Sequence, residues 1–171
     1  LTYERYKGAR LTADGRRAAL RTLRRHRILE SYLASVLAYP WDRVHAEAER
    51  LEHAASDELI DRMAAALGDP AFDPHGAPIP TREGAVDEGR PVALDDLAPG
   101  TRARVVRVSD EDGALLRYLG DLALRPGALV VLVARAPFDG PLTVSVEGGS
   151  VAIGRTAAAQ VLVELLVEPA S

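Results

Sequence analysis

The chain has 171 residues, 47% of them hydrophobic and 27% charged, a balance that excludes a disordered chain and points to two small soluble domains. No apolar run approaches the ~20 residues a membrane-spanning helix needs. The absence of cysteine excludes disulfide scaffolds, thiolate zinc sites, iron–sulfur clusters and cysteine nucleophiles, and fits a reducing, cytoplasmic setting. The net charge of −4 is unevenly spread: residues 1–30 hold nine Lys/Arg and three acids. That basic end reads most simply as a solvated arginine face on a helix, with a nearby phosphate backbone as the sharper reading. The chain begins at Leu1 and lacks the layout of a signal peptide, so it reads as a piece of a longer protein.

In chain order, residues 1–11 carry Tyr3, Tyr6 and a Gly8 break, which predicts one strand of a hairpin whose partner is missing. Thr12, with Asp14 following, offers an N-cap for a helix predicted to run to Tyr39 and stop at Pro40. Its inward row is predicted as Leu20, Leu23, His26, Glu30, Leu33 and Leu37, so a histidine and a glutamate stand one turn apart in a leucine stripe. A second helix is expected from Asp42 to Ala55, burying Val44, Ala48, Leu51 and Ala55. A third is expected from the Ser56 cap to Gly68, with Leu59, Ile60, Met63 and Leu67 inward.

Residues 69–80 are too rich in Pro and Gly for helix or strand, and 81–91 have the composition of a linker. From Val92 the texture changes to short β-branched runs. Five strands are predicted, at Arg102–Val108, Ala128–Ala134, Leu142–Val146, Ser150–Ile153 and Gln160–Leu166, with a helix over Ala114–Leu122 between the first two. The expected fold class is α+β, an all-helical domain followed by a small β-barrel.

The chain has four histidines. Glu49, Glu52 and His53, at i, i+3 and i+4, are expected on one helix face together with His45, adjacent to the buried one. His26 and Glu30 could supply a facing edge. Each residue alone is more ordinarily part of a solvated surface. The set together favours a divalent cation, because an unpaired carboxylate inside a leucine stripe is costly. Carboxylate and imidazole without thiolate suit Mn(II) or Fe(II), and Met63 reads as core. Asp73 and His75 in the Pro/Gly loop, and the acidic SDED turn at Ser109–Asp112, are ordinary turn residues unless the barrel packs on the helices. HExxH, G-x-S-x-G and glycine-rich phosphate loops are absent, so neither catalysis nor a small-molecule substrate is expected.

These stretches, RLTADGRRAAL (10–20), RRHRILESYL (24–33), PWDRVHAEAERLEH (40–53), SDELIDRM (56–63) and DPHGAPIP (73–80), resemble the metal-dependent transcriptional repressors of the diphtheria toxin repressor and manganese transport regulator family. LDDLAPGTRARVVRV (94–108) and LLRYLGDLALRPGALVVLV (115–133) look like the SH3-like domain shared with small ferrous-transport accessory proteins, the FeoA type. The resemblance implies a remnant of a winged helix-turn-helix at 1–11, a helical metal-binding and dimerisation domain at 12–82, a linker at 83–91 and an SH3-like domain at 92–171. It implies a cytoplasmic homodimeric repressor of metal-homeostasis genes that binds operator DNA through an N-terminal domain absent from these residues.

As metal ligands the resemblance implies Glu49, Glu52 and His53 for a primary site, and His26, Glu30 and His45 beside it. For a secondary site it implies Glu30, Asp73, His75 and Asp110, with Glu111 and Asp112 as close alternatives to Asp110. Manganese-sensing members carry Glu at the position of Glu49, so Mn(II) is favoured over Fe(II). The competing expectation is a metal-binding adaptor or storage protein that does not regulate DNA.

Overall fold

The computed structural model describes residues 2–4 and 8–166, with side chains from Leu11 onward. The chain divides into two compact units. One comprises the residues up to Tyr39 with Val44–Asp73 and Pro78–Glu88; the other comprises Pro40–Arg43, Pro74–Ala77 and the residues from Gly89 on. Among the described residues no helix is long and apolar enough to cross a membrane.

The first unit opens with β1 (Thr2–Glu4) and β2 (Gly8–Arg10), which pair antiparallel with Thr2 opposite Arg10. The predicted lone strand is therefore one of an antiparallel pair, with β1 and β2 each supplying the other's partner. Tyr6, Arg5 and Lys7 lie outside the described residues, as do 167–171, the last residues of the expected SH3-like domain.

Helix α1 (Ala13–Ser35) begins where expected, with the Thr12 hydroxyl accepting from Gly15 N at 3.1 Å. It ends four residues before Tyr39, because the chain turns at Ala38, whose φ is +52°. Leu37, expected inward, is consequently 57% exposed. Leu20 and Leu23 are only half-buried. The buried row is instead His26, Ile28, Leu29, Glu30, Ser31 and Leu33, since the apolar partners Val44, Ala48, Ile60 and Ala64 gather around the second half of the helix.

Helix α2 (Val44–Leu51) is shorter than predicted at both ends and buries Val44 and Ala48. Leu51 is left 37% exposed. Helix α3 (Asp57–Ala66) is capped by Ser56, whose hydroxyl accepts from Leu59 N at 3.2 Å. Ile60 and Ala64 face the core; Leu59, expected there, is 43% exposed. The loop after α3 has neither helix nor strand, apart from an isolated bridge between Phe72 and Pro78. It returns Ile79 to the core, with Ile79 N donating to Ala71 O at 2.8 Å.

The second unit contains β3 (Val92–Ala93), β4 (Arg102–Val108), α4 (Gly113–Asp121), β5 (Leu129–Arg135), β6 (Leu142–Val146), β7 (Gly149–Ile153), α5 (Arg155–Ala158) and β8 (Val161–Leu165). The strands form one six-stranded antiparallel sheet ordered β3-β8-β4-β5-β6-β7. The five predicted runs are present within a residue or two at each end; the two-residue β3 and one-turn α5 are too short to leave a periodic signal. Alternation sends Leu142, Val144 and Val146 inward, where they join Val105, Leu116, Leu119, Leu132 and Ile153. The SDED segment joins a strand to a helix and is not a hairpin turn: Asp112 Oδ1 caps α4, accepting from Ala114 N at 2.7 Å.

Candidate metal centre

Helical spacing on α1 brings His26 and Glu30 to one side, 8% and 0% exposed. α2 presents His45 one residue after the fully buried Val44. The atoms His26 Nε2, Glu30 Oε1 and His45 Nδ1 stand in a triangle with all three separations 3.1 Å. His26 Nδ1 meets Glu52 Oε2 at 2.9 Å. The rings of His26 and His45 are edge-on, 4.8 Å between centroids.

Burial alone pulls the His26 pKa down, but the hydrogen bonds and charges of Glu30 and then Glu52 outweigh it, raising it from 6.5 to about 9. At neutral pH the imidazolium therefore donates to both carboxylates and compensates the buried Glu30 charge.

The donor set fits a divalent cation. Donors about 2.0–2.2 Å from a metal at right angles to one another lie about 3 Å apart, which is the edge of this triangle. His26, Glu30 and His45 each offer one ligand atom within 4.8 Å of the others. Two imidazoles with a carboxylate and no sulfur select a borderline-to-hard ion.

Glu49, Glu52 and His53 do not gather as the predicted helix face. α2 stops at Leu51, and residues 52–54 form a turn held by Glu52 N donating to Ala48 O and Ala54 N to Leu51 O. Glu52 turns toward α1, its side chain 14% exposed. The side chains of Glu49 and His53 remain largely in solvent, Glu49 Oε1 at 3.8 Å from His45 Nε2 and His53 Nε2 at 3.4 Å from Glu52 Oε1. The compact cluster is thus His26–Glu30–His45 with Glu52 at its edge, the other two flanking it.

Asp73, in the same unit, is buried with Oδ2 at 3.5 Å from Arg27 Nε, and Arg27 also donates to Pro78 O. Sequence reasoning did not single out Arg27; its only signal is its place beside His26 in RRHR. His75 belongs to the second unit and is fully buried. Its Nε2–H donates to Trp41 O at 2.8 Å, and its Nδ1 faces Asp110 Oδ2 at 3.9 Å. The ring lies tilted against Trp41 at 5.7 Å, and the Arg125 guanidinium stands 4.6 Å from the Trp41 ring centroid. Gly76 comes next with φ +85°, and a Cβ there would fall 1.9 Å from Val106 O, so only glycine lets the chain pass. The three acids after β4 differ in role. Asp112 is the α4 cap, Glu111 is exposed, and Asp110 is the one beside His75.

The buried imidazole–carboxylate cluster defines a candidate metal-binding protein. Residues 12–81 match the iron dependent repressor metal binding and dimerisation domain, and residues 92–165 match the FeoA domain, the SH3-like type. The chain is 35% identical over 150 residues to the iron-dependent repressor IdeR of Mycobacterium tuberculosis (strain CDC 1551 / Oshkosh), covering 81% of this chain and 64% of that protein. It is 31% identical over 160 residues to the diphtheria toxin repressor of Corynebacterium diphtheriae, covering 85% and 67%. A solved manganese-dependent transcriptional repressor in complex with manganese is similar with a TM-score of 0.90 and 41% identity, over 94% of this chain and 77% of that one. The chain belongs to the family of iron- and manganese-dependent transcriptional repressors. It spans 64% of the length of the iron-dependent repressors IdeR of Mycobacterium bovis and Mycobacterium tuberculosis that it matches.

Proposed function

We propose that this chain is the metal-sensing and dimerising portion of a Mn(II)- or Fe(II)-dependent repressor of metal-homeostasis genes. The observation that carries the proposal is the buried His26–Glu30–His45 triangle with Glu52 at its edge. These residues would hold the ion, with Glu49 and His53 supplying outer donors. A bound divalent ion supplies the positive charge that the His26 imidazolium otherwise provides. For the second site that the resemblance implies, the pair within the second unit, His75 and Asp110, is carried forward. Trp41 O orients the His75 ring by accepting from Nε2, which directs Nδ1 toward the carboxylate.

The resemblance, in which manganese-sensing members carry Glu at the position of Glu49, favours Mn(II) over Fe(II) as the physiological ion. The exposed leucines Leu51 and Leu59, on α2 and α3, form the proposed dimer surface, joined by Val36 and Leu37 at the end of α1. In the complete protein, ion binding would shift the population toward a DNA-competent arrangement by no more than the ion's differential affinity for it. Base readout would come from residues outside this chain.

Anaerobic calorimetric titration of Mn(II) and Fe(II) into metal-stripped chain tests the site. The unsubstituted chain is expected to bind at least one ion per chain, and Glu30→Ala is expected to abolish that binding. Unchanged Mn(II) affinity in Glu30→Ala would show the assignment to be wrong. Sedimentation of Leu51→Glu/Leu59→Glu as a monomer, beside a dimeric unsubstituted chain, tests the dimer surface.

A further inference from the structure

The first half of α1 carries Arg17, Arg21, Arg24 and Arg25, whose spacing places them on one face of the helix. Together with Ile60 of α3 and Arg82 in the turn after the loop, they line a pocket of about 250 Å³ within the first unit. A pocket of this volume has room for a tetrahedral ion. His26 and Glu30 are not among the lining residues.

Five guanidinium groups meet three carboxylates here, Asp57, Asp61 and Glu83, and Arg17 also pairs with Asp14, leaving one positive charge in excess. The pairing is partial. Arg25 Nη2 donates to Asp57 at 2.5 Å and Arg25 Nη1 to Glu52 O at 3.2 Å, yet its Nε–H is buried with no acceptor among the described residues. Arg82 Nε donates to Asp61 at 2.8 Å, and this bond holds the Asp61 carboxyl below its usual range. Arg24 Nη1 donates to Pro80 O at 2.9 Å. Arg21 has no ion pair among the described residues.

We propose that this pocket binds a tetrahedral oxyanion, inorganic phosphate or the terminal phosphoryl group of a phosphomonoester. Guanidinium forks match such oxygens bidentately, and the partly buried wall at Ile60 lowers the local dielectric and strengthens each contact. An extended polyanion such as duplex DNA is disfavoured because Asp57, Asp61 and Glu83 would repel the phosphates flanking the one that enters.

Calorimetry on the metal-free chain at about 0.15 M salt, where surface attraction is largely screened, tests this with three probes: inorganic phosphate, glycerol 1-phosphate and a short DNA duplex. One saturable site per chain for phosphate or for glycerol 1-phosphate is expected, and the tighter of the two identifies the free ion or the ester as the class bound. Arg21→Gln should weaken it at least about tenfold with circular dichroism and melting temperature unchanged. Should that variant fold poorly, Arg17→Gln gives the same readout. Absence of saturable binding of both small phosphates, affinity equal in the variant, or binding of the duplex alone would each overturn the proposal.

Discussion

The two units bury different things. The second encloses an apolar cluster of eighteen residues, and its only buried polar side chain among the described residues is His75. The first has an apolar cluster of eight and buries His26, Glu30, Ser31 and Asp73 beside it. An apolar core scales its stability with area and responds little to solution conditions. A small core built around ionised groups depends on what neutralises them, so its stability is linked to protons and metal. The contrast separates a stable module from a responsive one.

The sharpest break of that contrast comes from the sheet core. Leu132, fully buried on β5, changed to Ala is expected to cost the second unit ~2–5 kcal/mol by lost burial and a residual cavity. Urea unfolding would show it as a lower midpoint at neutral pH, and a cost independent of pH between 6 and 9 on the order of that size would confirm the apolar character.

Next in size is Glu30→Gln, which keeps the shape of the side chain and removes its charge. Mn(II) affinity should fall by more than the ~10–100-fold typical of losing a partner outside the ligand set, because the charge of a ligand itself is removed, read by calorimetry. In the metal-free variant the His26 pKa should drop well below about 9, because burial still penalises the imidazolium while its main partner is gone. A His26 resonance still titrating near 9 by NMR would contradict the coupling.

A third test uses pH on the metal-free chain. His26 has a folded pKa of about 9 against 6.5 unfolded, so the folded state binds the proton more tightly. Its contribution is fully present below 6.5 and is lost as pH rises to 9. Unfolding free energy should therefore decline across that window, and His26→Gln should flatten the decline. Ion binding displaces the same proton, so apparent Mn(II) affinity should rise over the same range, with proton release seen by calorimetry in buffers of different ionisation enthalpy.

The smallest effects should be alike in the two units. Ser56→Ala removes the α3 cap and Asp112→Ala the α4 cap. Each is expected to cost about 1 kcal/mol in chemical unfolding, since capping is local and indifferent to the kind of core behind it.

What could be read along the chain was whatever depends on near neighbours. Thr12 and Ser56 announce helix starts, alternation announces β6, and the donor types in RRHRILE and VHAEAERLEH name the metal candidates before any fold is known. The extent of α1 and α2 was less legible. Apolar spacing continues through Leu37 and Ala55, yet the helices stop at Ser35 and Leu51. Packing partners decide how far a helix is worth extending, and they come from distant parts of the chain.

The same reason divides the site. Sequence alone settled that imidazoles and carboxylates stand one helical turn apart on two helices. Only the fold decided that Glu52 leaves the end of α2 and turns to His26, while Glu49 and His53 face solvent. Only the fold made Asp112 a cap and set Asp110 beside His75. Residue chemistry and short-range periodicity are written locally, whereas burial and the choice among equivalent donors depend on which surfaces meet in three dimensions.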